Sequence, residues 1–185
     1  MTVTRTLRLD EDLDQALEKL AREEGESVNV LANRALRKLV EWDFQAEKMG
    51  LVSLSRDTVG RFLEPYTEEQ VKELGRWAAR ENMMPLMLYV FGGVSLESLL
   101  KTVDAMERYM GRFTSEYTVN EGKHHITLRH GMGRKWSAFY AAGAEEVLAT
   151  ELGMDVVSTL TDDACFIEFK PKDRNPPKVS ASEQH

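Results

Sequence analysis

A chain of 185 residues has room for one ordinary domain, or for a small module beside a larger one. At 42% hydrophobic and 30% charged it has the composition of a soluble globular protein, and no apolar run approaches the roughly 18 residues of a membrane-spanning helix. A formal charge of −7 excludes a surface coated in basic patches but not a local one, and a single cysteine, Cys165, excludes an intramolecular disulfide.

The chain opens on "TRTLRLDEDL", residues 4–13. Thr4, Thr6 and Arg8 face one way and Val3, Arg5, Leu7 and Leu9 the other, as side chains on a strand do. The stretch passes straight into a helical pattern with no turn and no second strand. A lone strand leaves its backbone donors and acceptors unpaired, so a partner strand is required. This start lacks the basic-then-apolar order of a secretory signal, and with one cysteine a cytoplasmic location is expected.

Asp10 is the expected N-cap of a first helix, with Glu11 and Asp12 where the helix dipole favours negative charge. Leu13, Ala16, Leu17, Leu20 and Ala21 form its apolar stripe, and Gly25 closes it. Ser27 is the expected cap of a second helix, striped by Val28, Leu31, Ala32, Ala35, Leu36, Leu39 and Val40 and continuing past Trp42 and Phe44 to Gly50. Two such helices and a strand, about 40 residues, rarely bury enough surface to fold alone. A second copy supplies both the missing strand and the missing core, as symmetric dimers commonly do.

A short strand is expected over residues 51–55, a helix over 56–64 behind Ser55, and another behind the capping box "TEEQ" at residues 67–70. Pro85 is expected to start a short apolar turn or helix ending at Gly92-Gly93. Met83, Met84 and Met87, in the apolar stretch over residues 83–91, read as core, with a pocket or subunit interface as the other use. Ser95 and Gly111 bracket the next helix. The period then changes to two: Phe113, Ser115, Tyr117 and Val119 alternate with Thr114, Glu116 and Thr118, "NEGK" turns, and "HHITLRH" returns. A helix over residues 134–152 and a second hairpin around "TDD" follow, and the proline-rich tail, residues 171–185, is expected to be disordered.

Residues 3–42 resemble a ribbon-helix-helix DNA-binding domain of the Arc/MetJ/CopG type, through the strand alternation, the acidic helix start, the "EEGES" turn and the second stripe. The resemblance implies a dimer whose two-stranded ribbon enters the DNA major groove. It makes Thr4, Thr6 and Arg8 the base-contacting residues, and puts Ser27, Val28 and Asn29, at a helix start, against the backbone phosphates. Arg5 stands where the family usually buries an apolar side chain, so it is assigned to the DNA backbone or to the frayed ribbon end. Asp10 replaces the proline often found at the strand–helix junction. Acids outnumber bases between residues 5 and 41, yet residues 2–9 and 27–40 carry bases and no acid. Arg34, Arg37 and Lys38 read more simply as a solvated helix face than as specific contacts.

Residues 50–170 are expected to form an α+β domain with a mainly antiparallel sheet. The stretch from "RHGMGRKW" to "CFIEF" is similar to the helix and closing hairpin of 4-vinyl reductase-type sensor domains, which implies small-molecule binding. His124 and His130 share a strand face and Cys165 sits on a neighbouring strand, all zinc-type ligands. Two histidines six residues apart on a strand are about 20 Å apart, however, so no metal is expected; Cys165 is expected to be buried and the histidines to lie on the hairpin or surface. Arg129, His130, Arg134 and Lys135 beside "GMG" suit an anion at a helix start, or equally a basic surface patch. No nucleophile elbow, phosphate loop or dinucleotide fingerprint occurs, so neither catalytic residues nor a cofactor is expected.

The whole reads as an α+β protein with a ribbon-helix-helix dimerisation module over residues 1–48 and an effector-binding or oligomerisation domain over 50–170. The expected function is a transcriptional regulator binding double-stranded DNA as a homodimer or a dimer of dimers, with a small-molecule effector and no membrane. The alternative is an antitoxin-like or other partner-binding protein that uses the first module only to dimerise.

Overall fold

The computed structural model describes residues 3–172 and divides the chain into two units, one ending at Val52 and the other beginning at Ser53. The secondary structure is mixed helix and antiparallel sheet, an α+β arrangement. Among the described residues no single helix is long and apolar enough to cross a membrane. The expected disordered tail lies outside the described residues from 173 onward.

In the first unit α1 (Glu11–Glu24) starts at Asp10, whose backbone is extended (φ −68°, ψ 147°). The Asp10 side chain makes no capping hydrogen bond; its carbonyl accepts from the Asp14 amide at 3.0 Å, and its carboxylate joins the acidic first turn. Gly25 adopts φ +67° and returns its amide to the Ala21 carbonyl, a conformation that costs a residue with a Cβ. Ser27 caps α2 (Val28–Lys38), its Oγ accepting from the Val30 amide at 3.3 Å. The helix runs on through a π-helical turn, Leu39–Asp43, into α3 (Phe44–Lys48).

What this unit lacks is a core. Among its described hydrophobic residues only Ala21, Leu31 and Trp42 are buried, while Val3, Leu7, Leu13, Leu36, Val40 and Phe44 are between 47% and 72% exposed. Residues 3–9 carry neither helix nor strand. The alternation is in place, but a strand needs a neighbour to bond to, and among the described residues nothing pairs with this segment. The strand expected over residues 51–55 is likewise absent: the Leu51 amide is used on the Ala46 carbonyl at 2.9 Å, closing the preceding helix.

The second unit has a core of its own. Ser55 caps α4 (Arg56–Arg61), and Thr67 and Gln70 form the expected reciprocal capping box of α5 (Glu68–Ala78). A π-helical turn, Ala79–Met83, joins α5 to α6 (Met84–Phe91), in whose first turn Pro85 stands and which Gly92 closes, as expected. The proline's missing amide is harmless there, in the turn where the hydrogen-bond ladder is already shifted. Ser95 and Gly111 bound α7 (Leu96–Met110).

The sheet follows. β1 (Thr114–Asn120) and β2 (Lys123–Arg129) are joined by Glu121 (φ +50°) and Gly122 (φ +76°), the two positive φ values that a tight hairpin demands. α8 (Arg134–Glu145) continues as a π-helical turn, Glu146–Glu151, and leads to β3 (Met154–Leu160) and β4 (Ala164–Pro171). The order is β1-β2-β4-β3, antiparallel throughout, with Ile126 opposite Ile167 and Leu128 opposite Cys165 at the centre. Those four residues are buried with Phe169 beneath α8, and Phe166, Val157 and Glu168 lie on the open face. α5 lies against α8 at two glycines, where a Cβ on Gly75 would run into the Phe139 carbonyl and one on Gly143 would come within 3.2 Å of the Gly75 carbonyl.

Candidate nucleic-acid interface

Thr4, Arg5, Thr6 and Arg8 are all exposed. Among the described residues neither Arg5 nor Arg8 forms an ion pair. The other arginines of the first unit are engaged: Arg22 with Glu18 at 3.4 Å, Arg34 with Glu26 at 2.9 Å and Arg37 with Glu41 at 2.9 Å. Lys38 pairs with Asp43 at 3.2 Å. The basic face of α2 is therefore matched by acids, in line with its reading as a solvated face, and the free guanidinium groups are those of the alternating segment.

Ser27 and Asn29 are exposed and Val28 half-buried at the start of α2. The Val28 and Asn29 amides are first-turn donors, which an α-helix cannot satisfy internally. Asn29 also accepts from Asn33 Nδ2, through its carbonyl at 2.8 Å and its Oδ1 at 3.1 Å. Among the described residues no hydrogen bond or ion pair links residues 3–9 to this helix start, so one chain presents the two groups separately.

The anion site suggested by "GMG" is not assembled. Arg134 donates to the Leu160 carbonyl at 3.2 Å and lies 3.5 Å from Glu68, and Lys135 donates to the Glu64 carbonyl at 2.6 Å. Arg129 sits over the Phe166 ring at 5.8 Å. His130, expected on the hairpin or surface, is only 3% exposed. β2 ends one residue before it, and the chain folds in toward α8. Its Nδ1 accepts from the Met132 amide at 3.0 Å, which places the proton on Nε2; Nε2–H then donates to Ser137 Oγ at 2.9 Å. Ser137 Oγ donates to the Thr161 carbonyl at 2.6 Å, and the His130 amide to the Asp163 carbonyl at 2.8 Å. Burial lowers the His130 pKa, with the Asp163 charge opposing. This neutral imidazole ties the start of α8 to the β3–β4 turn, a role no local sequence pattern signals.

His124 stacks on Phe169 at 5.1 Å and its Nδ1 is 2.7 Å from the Tyr117 hydroxyl. Cys165 is fully buried, and burial pushes its thiol up to about 12. Among the described residues no group of three His, Cys, Asp or Glu side chains is placed to share a metal ion. Compared with known proteins, the chain matches no family model and no curated protein.

Proposed function

We propose that the chain is a sequence-specific DNA-binding transcriptional regulator that acts as a dimer through a ribbon-helix-helix module. The observation that supports this most is the near absence of a core in the first unit. Val3, Leu7 and Leu9 are exposed along with much of the helix stripes, and alternate with Thr4, Thr6 and Arg8. Two copies pairing residues 3–9 antiparallel would bury the apolar side of the ribbon and turn the other side outward. The major groove is wide enough to admit such a ribbon. In it, Arg8 suits guanine and the threonines suit thymine methyls or base-edge acceptors. Arg5 and the first turn of α2 at Ser27, Val28 and Asn29 would hold phosphates.

The second unit is read as a sensing or oligomerisation domain. Its continuous core favours this over the antitoxin-like alternative, in which a partner-binding segment orders only on binding.

Selection of bound fragments from the source organism's DNA, at fixed near-physiological salt, tests the reading. The full chain is expected to enrich a two-fold-symmetric motif that a Thr4/Thr6/Arg8→Ala variant loses. Arg5→Ala is expected to keep the motif while lowering the salt dependence of binding by about two units of log–log slope, one for each copy in the dimer. No enrichment by the wild type would end the regulator reading and leave the module as a dimerisation device.

A further inference from the structure

The sheet of the second unit ends on β1 at one side and β3 at the other, and each edge strand carries backbone groups with no strand beside them. The β1 edge is guarded: Glu107 accepts from the Ser115 amide at 2.9 Å and from the Ser115 hydroxyl. Which groups face outward along β3 follows from its pairing with β4. Just beyond either end of the strand, the Thr161 amide donates to the Ala164 carbonyl at 2.9 Å and the Gly153 carbonyl accepts from the Lys172 amide at 3.4 Å. Both pairs keep the β3–β4 register, and antiparallel hydrogen-bonded pairs recur at every second residue. Asp155, Val157 and Thr159 therefore bond inward to β4, while Val156, Ser158 and Leu160 aim their amides and carbonyls out of the sheet. Among the described residues no hydrogen bond uses those three amides, and of the three carbonyls only that of Leu160 is engaged, by Arg134 at 3.2 Å.

β3 also lacks the devices that keep an edge unpaired. It has no lysine, no proline and no bulge, its one charge is Asp155, and Val157 is 65% exposed. Ser158 supplies an independent observation. Its Oγ is buried with no hydrogen-bond partner among the described residues, which is unusual and destabilising. Ser158 stands opposite the buried Ile167, on the face of the sheet that the helices cover. The side of β3 away from Ile167 is the open edge, where a further strand would bring that hydroxyl a neighbour.

We propose that β3 pairs antiparallel with β3 of a second copy of this chain, across a two-fold axis at Ser158, joining two sheets into one of eight strands. In this register the two Ser158 hydroxyls meet, Val156 lies opposite the partner's Leu160, and Val157 lies opposite the partner's Thr159. Asp155 falls opposite the partner's Thr161, so no like charges are opposed. The three hydrogen-bonded residue pairs exchange about six backbone bonds, the Leu160 carbonyl accepting through its second lone pair. A register centred on Val157 would instead set each Ser158 hydroxyl beside the partner's Val156, where it stays unpaired. A strand edge is smaller than the roughly 800 Å² per partner of stable interfaces, so the contact is expected to form alone only in the upper micromolar range. Prior pairing of the first units would promote it by raising the local concentration. The inference deepens, and rests on, the reading of the second unit as an oligomerisation domain.

The test is disulfide trapping in the full chain under mild oxidation, at upper micromolar concentration. Val157 and Thr159 are both exposed, and Cys165 is fully buried and takes no part. The Val157→Cys/Thr159→Cys double variant is expected to form covalent dimers, because directly opposed residues there lie about 4.5 Å apart between Cα atoms. Val157→Cys alone is expected to form few, its two copies being displaced along the strands. Ser158→Ala is expected to weaken the association about fivefold, yet to melt no lower than wild type in dilute solution, since no hydrogen bond within the chain is lost. The proposal is overturned by absence of covalent dimers from the double variant, by equal trapping of Val157→Cys alone, or by a clear fall in the Tm of dilute Ser158→Ala. Trapping repeated with Leu7→Asp added separates this contact from the ribbon. Covalent dimers are still expected there, and their loss at every concentration would also overturn it. If the fragment selection enriches no motif while trapping succeeds, the regulator reading falls and the edge contact stands.

Discussion

His130 is held neutral by its surroundings, and that has a measurable consequence. Both ring nitrogens are committed, Nδ1 as acceptor from Met132 and Nε2 as donor to Ser137, so a second proton must displace the Met132 amide. The folded-state pKa lies below the ordinary 6.5 because the ring is desolvated. As pH falls the unfolded chain therefore takes up the proton first. The stability this group contributes is complete above about 6.5 and is lost progressively below it, down to the folded-state pKa. Thermal melting followed from about pH 7.5 to about 5 is expected to show Tm falling with pH, and less steeply in His130→Asn. Equal slopes in the two proteins would mean that another group carries the dependence.

At the scale of elements, the contact between α5 and α8 is set by glycine. Because a Cβ at Gly75 meets backbone rather than a movable side chain, Gly75→Ala must push the helices apart. Alanine's better helix propensity returns up to about 1 kcal/mol, while overpacking costs about 1–3 kcal/mol or more. A net loss is expected in denaturant unfolding, and unchanged stability would show that the helices are not so closely held. The helix boundaries were legible in the sequence because caps are local chemistry: Gly25, Ser27, Ser55, the Thr67–Gln70 box, Ser95 and Gly111 each act within a few residues. The π-helical turns were not, since nothing in "ARENM" or "EVLATE" announces an extra residue per turn. His130 was misplaced for a related reason: strand alternation was carried one residue too far, past the point where β2 ends. The buried Tyr140 hydroxyl, without a hydrogen-bond partner among the described residues, emerges only from packing. Residues 3–9 show the converse, an alternation plain in the sequence that a single chain cannot turn into a strand.

For the whole molecule, the contrast between the two units is the main fact. The second encloses a continuous apolar core running from Val59 to Phe169, whereas the first leaves most of its large apolar side chains in water. A unit of some 50 residues in that state has little to hold it together, because apolar burial stabilises by only about 25 cal/mol per Å² and chain entropy opposes it throughout. Pairing through residues 3–9 would supply the missing burial, and the proposed DNA reading depends on it. Sedimentation equilibrium of the full chain beside Leu7→Asp is the most direct measurement of that pairing. The account predicts twice the 21.1 kDa chain mass at micromolar concentration for the wild type, and a shift toward monomer in the variant. A wild type that stays at 21.1 kDa, or a variant that dimerises as tightly as the wild type, would contradict the paired ribbon.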